Sequence, residues 1–519
     1  MIITVLEHPR IRSERRFNDI ANTPLWSCLM GGYAAASMAQ AGYEVCFLDA
    51  ATGHWDFDQT EKAILSLSPA MLAVIAVYFW EHTPKFFEFL SQLRFSGFGG
   101  HISLFGFFPT LAYQVILEQA TFVDSIVVGE CEVTLAELAG RLSKGQDWRD
   151  IPGLACRNSE GIGMANLRFP EPDPDRFPFP CRDLGSTNTV SILASRGCYN
   201  HCSFCPVPAF YNHGPLWRGR SPQNVLAEMT QLIDQGVRDF YFVDPNFFGP
   251  GKKGRHRTLV LAELIRPLGI TFGMETRPND LDPETLESLV SAGLQNMLLG
   301  IESGSKSVLG RLGKDAHLNS SERAINLCRS VGIEPEIGFL MFVPDSTVDD
   351  LQHNLDFLEG NNLLDRLDRT ANLLCHCQIV LMGTSDYRWF KEQGRLAETG
   401  PFGFEGEIAF VDDRVKWISE LVVHACLYVL KEMSRPDSPV WWRESRNVLE
   451  LKRVNEYLVD LFTRLLKEVQ RTTNLAPVGI LKNNIEKELQ EGFAQVEAKK
   501  DMTMALAVSG SRCRLNGCS

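Results

Sequence analysis

The 519-residue chain has no apolar run long enough to cross a bilayer. Its longest, AMLAVIAVYFW at 70–80, reads as a buried strand. It has no excess of positive charge either. Against 51 Lys and Arg stand 64 Asp and Glu, a formal net charge of −13, which argues against a nucleic-acid partner. The one basic cluster, GKKGRHR at 251–257, reads as a solvated loop or a meeting point for an anionic substrate. The opening MIITVLEHPRIRSERRF lacks the apolar core and small-residue cleavage site of a signal peptide, so a cytoplasmic location is expected. What the chain does not lack is cysteine. Its 14 cysteines are scattered, unlike a secreted disulfide framework, and are expected to be buried thiols or metal ligands.

Residues 1–145 alternate short apolar runs (IITVL, EVCFLDA, AMLAVIAVYF, HISLFGF, VDSIVVGE) with helical patterns. Five β-α repeats predict a doubly wound, flavodoxin-like (Rossmann) parallel sheet. At 146–187 the pattern breaks into a proline-rich linker. Alternation resumes over 188–384, with candidate strands TVSILAS, DFYFVD, TFGMET, QNMLLGI, PEIGFLMF and HCQIVL. Six such units suit a partial (β/α)6 barrel. From 385 to 519 strands are expected to vanish and three helices to follow. The fold class is therefore α/β with a helical C-terminal domain.

The chemistry concentrates in SRGCYNHCSFC at 195–205, where Cys198, Cys202 and Cys205 have the spacing C-x₃-C-x₂-C. Thiolates bind soft metals. Structural zinc usually takes four protein ligands, and no nearby fourth cysteine has a matching spacing. A cubane [4Fe–4S] cluster also normally takes four, so three leave one iron open to a small molecule. The motif directly follows an apolar run, at the strand end where β/α barrels place their chemistry. The competing reading, three loop cysteines that ligate nothing, does not account for the compact spacing after a strand and a glycine.

This stretch resembles the signature of the radical S-adenosylmethionine (SAM) superfamily. The resemblance implies that the three cysteines hold a [4Fe–4S] cluster, that SAM chelates the fourth iron, and that Phe204 lies near the adenine. FVDPNFF at 242–248, METRPNDL at 274–281, LLGIESGS at 298–305 and GFLMFVPDST at 338–347 resemble later strand-end segments of that family, with Asp345 standing in place of a glycine. Carboxylates at strand ends suit an ammonium and a ribose diol. Glu275, Glu302 and Asp244 are the candidate polar contacts, and Arg277 the candidate partner of a carboxylate.

A five-unit sheet ahead of such a barrel resembles the cobalamin-binding domain of class B radical SAM enzymes. FVDSIVVGECEVTLAEL at 122–138 and LFGFFPTL at 104–111 are similar to that family's segments, the latter with Phe105, Phe107 and Phe108 replacing small or polar residues. Open α/β sheets bind ligands at their C-terminal strand ends. Tyr78, Phe79, Gly106, Gly129 and Glu130 are the candidate corrinoid contacts. The D-x-H-x-x-G motif that supplies a cobalt ligand in some cobalamin proteins is missing, although His8 follows the first strand.

The resemblance implies reductive cleavage of SAM to a 5′-deoxyadenosyl radical. Cobalamin-dependent methylation of an unactivated carbon in a small natural-product-type substrate is then expected. The alternatives are cyclisation, rearrangement or transfer of an aminocarboxypropyl group on the same fold, or a non-catalytic corrinoid or SAM sensor. An electron donor such as flavodoxin or ferredoxin is the expected partner, with no nucleic acid and no membrane span. Cys375 and Cys377 in LLCHCQ would share one face of the last barrel strand, as soft ligands or as small hydrophobes. Cys513 and Cys518 in the tail are similarly open, as are Trp441 and Trp442, which either line a pocket or pack helices.

Overall fold

The computed structural model describes residues 1–9, 29–76, 83–159, 161–182, 189–211, 214, 216–314, 317–434, 449–472 and 474–512. Tyr78, Phe79, Trp441, Trp442, Cys513 and Cys518 lie outside them. In chain order the elements begin with β1 (Ile2–Glu7), α1 (Leu29–Gln40), β2 (Glu44–Asp49), α2 (Phe57–Leu67), β3 (Met71–Ile75) and α3 (Thr83–Phe95). Next come β4 (His101–Phe105), α4 (Phe107–Gln119), β5 (Ser125–Val127), α5 (Glu132–Ser143), β6 (Leu154–Asn158) and β7 (Gly161–Met164). Then follow β8 (Thr189–Ile192), β9 (Ser195–Gly197), α6 (Pro206–Phe210), β10 (Trp217–Gly219), α7 (Pro222–Asp234), β11 (Asp239–Phe242), α8 (Gly251–Ile265), β12 (Thr271–Thr276), α9 (Pro283–Ser291) and β13 (Leu294–Glu302). The remainder is α10 (Lys306–Arg311), α11 (Leu318–Ser330), β14 (Glu336–Phe339), α12 (Val348–Gly360), α13 (Leu367–Cys375), β15 (Val380–Leu381), α14 (Ser385–Glu392), β16 (Leu396–Thr399), β17 (Glu405–Ile408), α15 (Asp413–Ser434), α16 (Leu449–Arg471) and α17 (Val478–Arg512).

The chain forms two compact units. The first comprises Met1–Gly300, Leu312–Glu336 and Ile379–Ile408; the second Ile301–Arg311, Ile337–Gln378 and Ala409–Ser519. In the first unit the leading sheet runs β2-β1-β3-β4-β5-β6-β7. Its first five strands are parallel, in the flavodoxin-like order expected. β3 is buried along its whole length, as befits a strand covered on both faces. One core lies under α2, α3 and α4 and is rich in phenylalanine, including Phe86, Phe89 and Phe108. The other lies under α1 and α5 and holds Phe105. Two of the three aromatics in LFGFFPTL therefore point into cores. The region read as a linker differs from expectation: β6 and β7 extend the sheet in antiparallel fashion. Their short, glycine-flanked runs gave no β-α alternation to read.

The first unit also carries β8, β11, β12 and β13 as parallel neighbours, at the expected positions. GKKGRHR is not a loop but the first two turns of α8. Arg257 there is half-buried, donating to the carbonyls of Arg220 (2.6 Å) and Ala194. A second difference is the small antiparallel sheet β15-β17-β16: β15 falls within the expected strand HCQIVL, but β16 and β17 lie where strands were expected to have ended. Its strands are two to four residues long, too short to show alternation.

In the second unit β14 matches the expected fifth strand, whereas the expected sixth, HCQIVL at 376–381, is reduced to a parallel bridge at Cys377 and the two residues of β15. Leu367–Cys375 is the helix α13, because Leu367, Ala371 and Leu374 recur at helical spacing and are buried together. Cys375 is consequently a buried thiol, and exposed Cys377 retains a single parallel bridge to Phe342. The three C-terminal helices form as expected. α15 buries Val415, Ile418, Val422, Ala425 and Val429 along one stripe, packed by α13, α16 and α17. Among the described residues no helix is long and apolar enough to cross a membrane.

Candidate active site

The site is built on a two-stranded ribbon. β9 and β10 pair antiparallel, matching Ser195 with Gly219, Arg196 with Arg218 and Gly197 with Trp217. Gly197 has φ +77°, and a Cβ there would lie 1.9 Å from the Leu216 carbonyl oxygen. No other residue type fits this turn. It aims the chain into the loop that carries Cys198, Cys202 and Cys205.

Local bonds shape that loop. The Cys205 amide donates to the Cys202 carbonyl (3.2 Å), and Asn200 Nδ2 donates to Cys202 Sγ (3.0 Å). The Ser203 amide donates to the Leu312 carbonyl (2.8 Å), and the Ser203 carbonyl accepts from the Asp386 amide (3.0 Å). None of the three cysteines is in a disulfide, and all three are half-buried, as is Phe204. Burial, then the neighbouring Cys202 and Cys198, pushes the Cys205 thiol up to about 12. Burial and the neighbouring thiols therefore keep the proton on Cys205 until a soft cationic group takes its place and removes the penalty on the thiolate. Among the described residues no three His, Cys, Asp or Glu side chains gather into a site for one ion. A cluster asks for something different, one thiolate per iron, and the residues present fit that demand.

Around the loop, the expected site residues divide. Asp244 is fully buried and engaged inside the protein: it accepts from Ser195 Oγ and from the Ala194 amide (3.0 Å). Burial raises its carboxyl to about 6 against those bonds and the charge of Arg257. It braces the turn between β8 and β9. Glu275, at the end of β12, accepts from Tyr241 Oη at 3.4 Å. Its carboxyl is pushed up to about 7 by burial. Arg277 is buried, with its guanidinium 5.2 Å from the centre of the Tyr199 ring, next to Cys198. Tyr199 Oη donates to Asp280, which also accepts from Asn246 Nδ2 (3.0 Å). In the second unit Glu302 closes β13 with φ +73°, a left-handed conformation rare outside glycine. Its carbonyl accepts from the Leu340 amide at 2.7 Å.

At the edge of the leading sheet, Gly106 (φ +112°) and Gly129 (φ +88°) follow β4 and β5 as expected. A side chain on Gly106 would meet the Ala76 carbonyl at 2.8 Å, whereas one on Gly129 would find only the Phe210 carbonyl at 3.9 Å. Glu130, the next candidate, is engaged in ion pairs within the protein. Its oxygens accept from Arg196 (3.0 Å), from both Arg218 nitrogens (2.6 and 3.1 Å) and from the Glu171 amide (3.2 Å). Burial works to raise its pKa, but the two guanidiniums hold it below the usual carboxylate range. Glu132 pairs with the other side of Arg196 at 2.6 Å. Arg196 is in turn sandwiched by Phe177 (4.3 Å) and Tyr33 (4.8 Å). Arg196, Arg218, Glu132 and Asp280 escaped the sequence reading. The available signal was a lone arginine before the first cysteine and two acids in GECE, with nothing local to join them.

Comparison with known proteins follows this geometry. Residues 192–358 match the radical SAM superfamily. The chain is 25% identical over 339 residues to an uncharacterised methyltransferase of Pyrococcus horikoshii, covering 62% of this chain and 71% of that protein. It is 27% identical over 355 residues to the anaerobic magnesium-protoporphyrin IX monomethyl ester cyclase of Rubrivivax gelatinosus, covering 63% of this chain and 60% of the cyclase. Among solved structures, the cobalamin-dependent SAM radical enzyme OxsB, with aqua-cobalamin and SAM bound, superposes with a TM-score of 0.71. That match has 18% identity and covers 99% of this chain and 80% of OxsB. Residues 192–358 are thus similar to the radical SAM superfamily, and the fold is similar to that of OxsB.

Proposed function

We propose that the protein is a radical SAM enzyme that methylates an unactivated carbon of a small, natural-product-type molecule. The observation that carries this reading is the loop of three half-buried cysteines, none in a disulfide, directly after β9, with no fourth cysteine ligand in its motif. Cys198, Cys202 and Cys205 would hold a [4Fe–4S] cluster. Phe204, Glu275 and Arg277 are the proposed contacts for SAM, with Asp244 acting through the turn it braces; Glu302 is proposed on its sequence segment alone. Gly106 and Gly129 would let the backbone approach a corrinoid. When bound, the cluster supplies the electron that splits SAM and cobalamin supplies the methyl group. The protein's own residues orient these groups: Asp244 and Ser195 fix the loop, and Arg277 covers the Tyr199 ring. A flavodoxin or ferredoxin is the proposed electron donor. The relatives' names support methyl transfer, and the cyclase among them favours a second reading, ring formation on the same scaffold.

The test is anaerobic reconstitution with iron, sulfide and hydroxocobalamin, followed by reduction in the presence of SAM. Iron near four per chain, stoichiometric corrinoid and 5′-deoxyadenosine are expected, and Cys198→Ala, Cys202→Ala or Cys205→Ala should abolish the nucleoside. Nucleoside formation that survives these substitutions sinks the proposal. With substrate, a mass gain of one methylene unit supports methylation, and a loss of hydrogen without added carbon supports cyclisation.

A further inference from the structure

The loop that bears the three cysteines is tied to the edge of the leading sheet at both of its ends. On the upstream side, Arg196 stands two positions before Cys198 and is gripped by Glu130 and Glu132, which lie just after β5. Its ribbon neighbour Arg218 grips the same Glu130 and adds a bond to the Glu171 carbonyl. On the downstream side, Phe210 at the end of α6 stacks on Phe107, which directly follows Gly106, with ring centres 4.3 Å apart. The Phe210 carbonyl is also the nearest atom to the open face of Gly129. Buried ion pairs contribute little net stability compared with apolar residues of the same shape, and their best-attested use is to fix one arrangement among several. The four charged side chains are nearly sealed: Arg196 and Arg218 are 7% and 3% exposed, Glu130 and Glu132 9% and 3%. That is a costly way to join two elements unless their separation matters.

We propose that the Glu130–Arg196–Arg218–Glu132 cluster and the Phe107–Phe210 stack are a pair of positioning pins, holding the cysteine loop at a set distance from the Gly106–Gly129 edge. This rests on the proposed function, in which the loop carries the cluster and the edge carries the corrinoid. The pins fix the gap between the two groups, so that the substrate carbon lies within reach of both. The four charged side chains bond to one another and to the Glu171 backbone, and so act through the backbone of the loop and of the edge.

The experiment uses the reconstituted holoprotein, with dithionite-reduced cluster and cob(II)alamin, and reads their separation from the relaxation enhancement of the cobalt signal. Wild type should give one narrow distance distribution. Glu132→Gln (charge lost), Arg218→Lys (charge kept, bidentate grip lost) and Phe107→Leu should each broaden it at least twofold, with iron, sulfide and corrinoid contents unchanged. Amide exchange gives a readout that needs no corrinoid. It should quicken at least tenfold over 195–197 and 217–219 in the first two variants and over 206–210 in the third. An unchanged distribution or unchanged exchange in all three variants overturns the pins. A wild-type protein that takes up no corrinoid defeats the methyl-transfer reading and leaves the pins to stand or fall on amide exchange.

Discussion

Gly197→Ala should prevent the cysteine loop from reaching its native geometry. The added Cβ carries two costs. At φ +77° an L side chain pays about 1–2 kcal/mol for the left-handed backbone. The Leu216 carbonyl, 1.9 Å from the new atom, must also retreat by about 1.5 Å to reach ordinary contact distance. Leu216 leads directly into β10, so the retreat pulls at the Trp217–Gly197 pair of the ribbon. Overpacking of this kind costs about 1–3 kcal/mol. The total, about 2–5 kcal/mol, disfavours the native loop by roughly 30-fold or more. Gly236→Ala is the control, because Gly236 has φ +96° and nothing within 4 Å of its missing side chain. It should show the backbone strain alone. The assay is iron and sulfide content after anaerobic reconstitution, alongside a urea denaturation curve. Gly197→Ala is expected to lose most of its iron, and Gly236→Ala to keep it while losing about 1–2 kcal/mol of stability. Equal iron content in the two variants would refute the argument that the clash sets the loop.

Two further outcomes follow from the same geometry. Asp244 titrates at about 6 in the folded chain against an ordinary 3.8. Below both values it is neutral in both states, and above both the folded state carries a burial penalty of about 3 kcal/mol. Stability should therefore fall as pH rises from about 4 to about 6, and Asp244→Asn should flatten that part of a denaturation–pH profile; an identical slope in the variant contradicts the assignment. Tyr199→Phe and Asp280→Asn, combined in a double-mutant cycle, should show a coupling of at least about 1 kcal/mol by chemical denaturation, since the bond joins a hydroxyl to a carboxylate. A coupling of zero would mean the two do not meet.

The parts of the fold legible in sequence were those with local causes. Five β-α repeats fixed the leading sheet because buried parallel strands and amphipathic helices each write their own period. Elements of two to four residues, such as β15, β16 and β17, write none, and β6 and β7 lacked the helices that flag a strand's neighbours. Helix α13 was misread because LLCHCQIVL has the apolar density of a strand, while the helical stripe that decided the matter begins upstream at Leu367.

The sequence by itself determined the three thiols, their spacing and their place after a strand, because ligand spacing within a single loop is a local property of the chain. Only the tertiary structure decided what surrounds them. Glu130 pairs with arginines 66 and 88 positions away, and Asp244 braces a serine 49 positions back. Such pairings depend on which strand ends the sheet order brings together, and on burial deep enough that a lone charge must find a partner. No window of neighbouring residues contains that information.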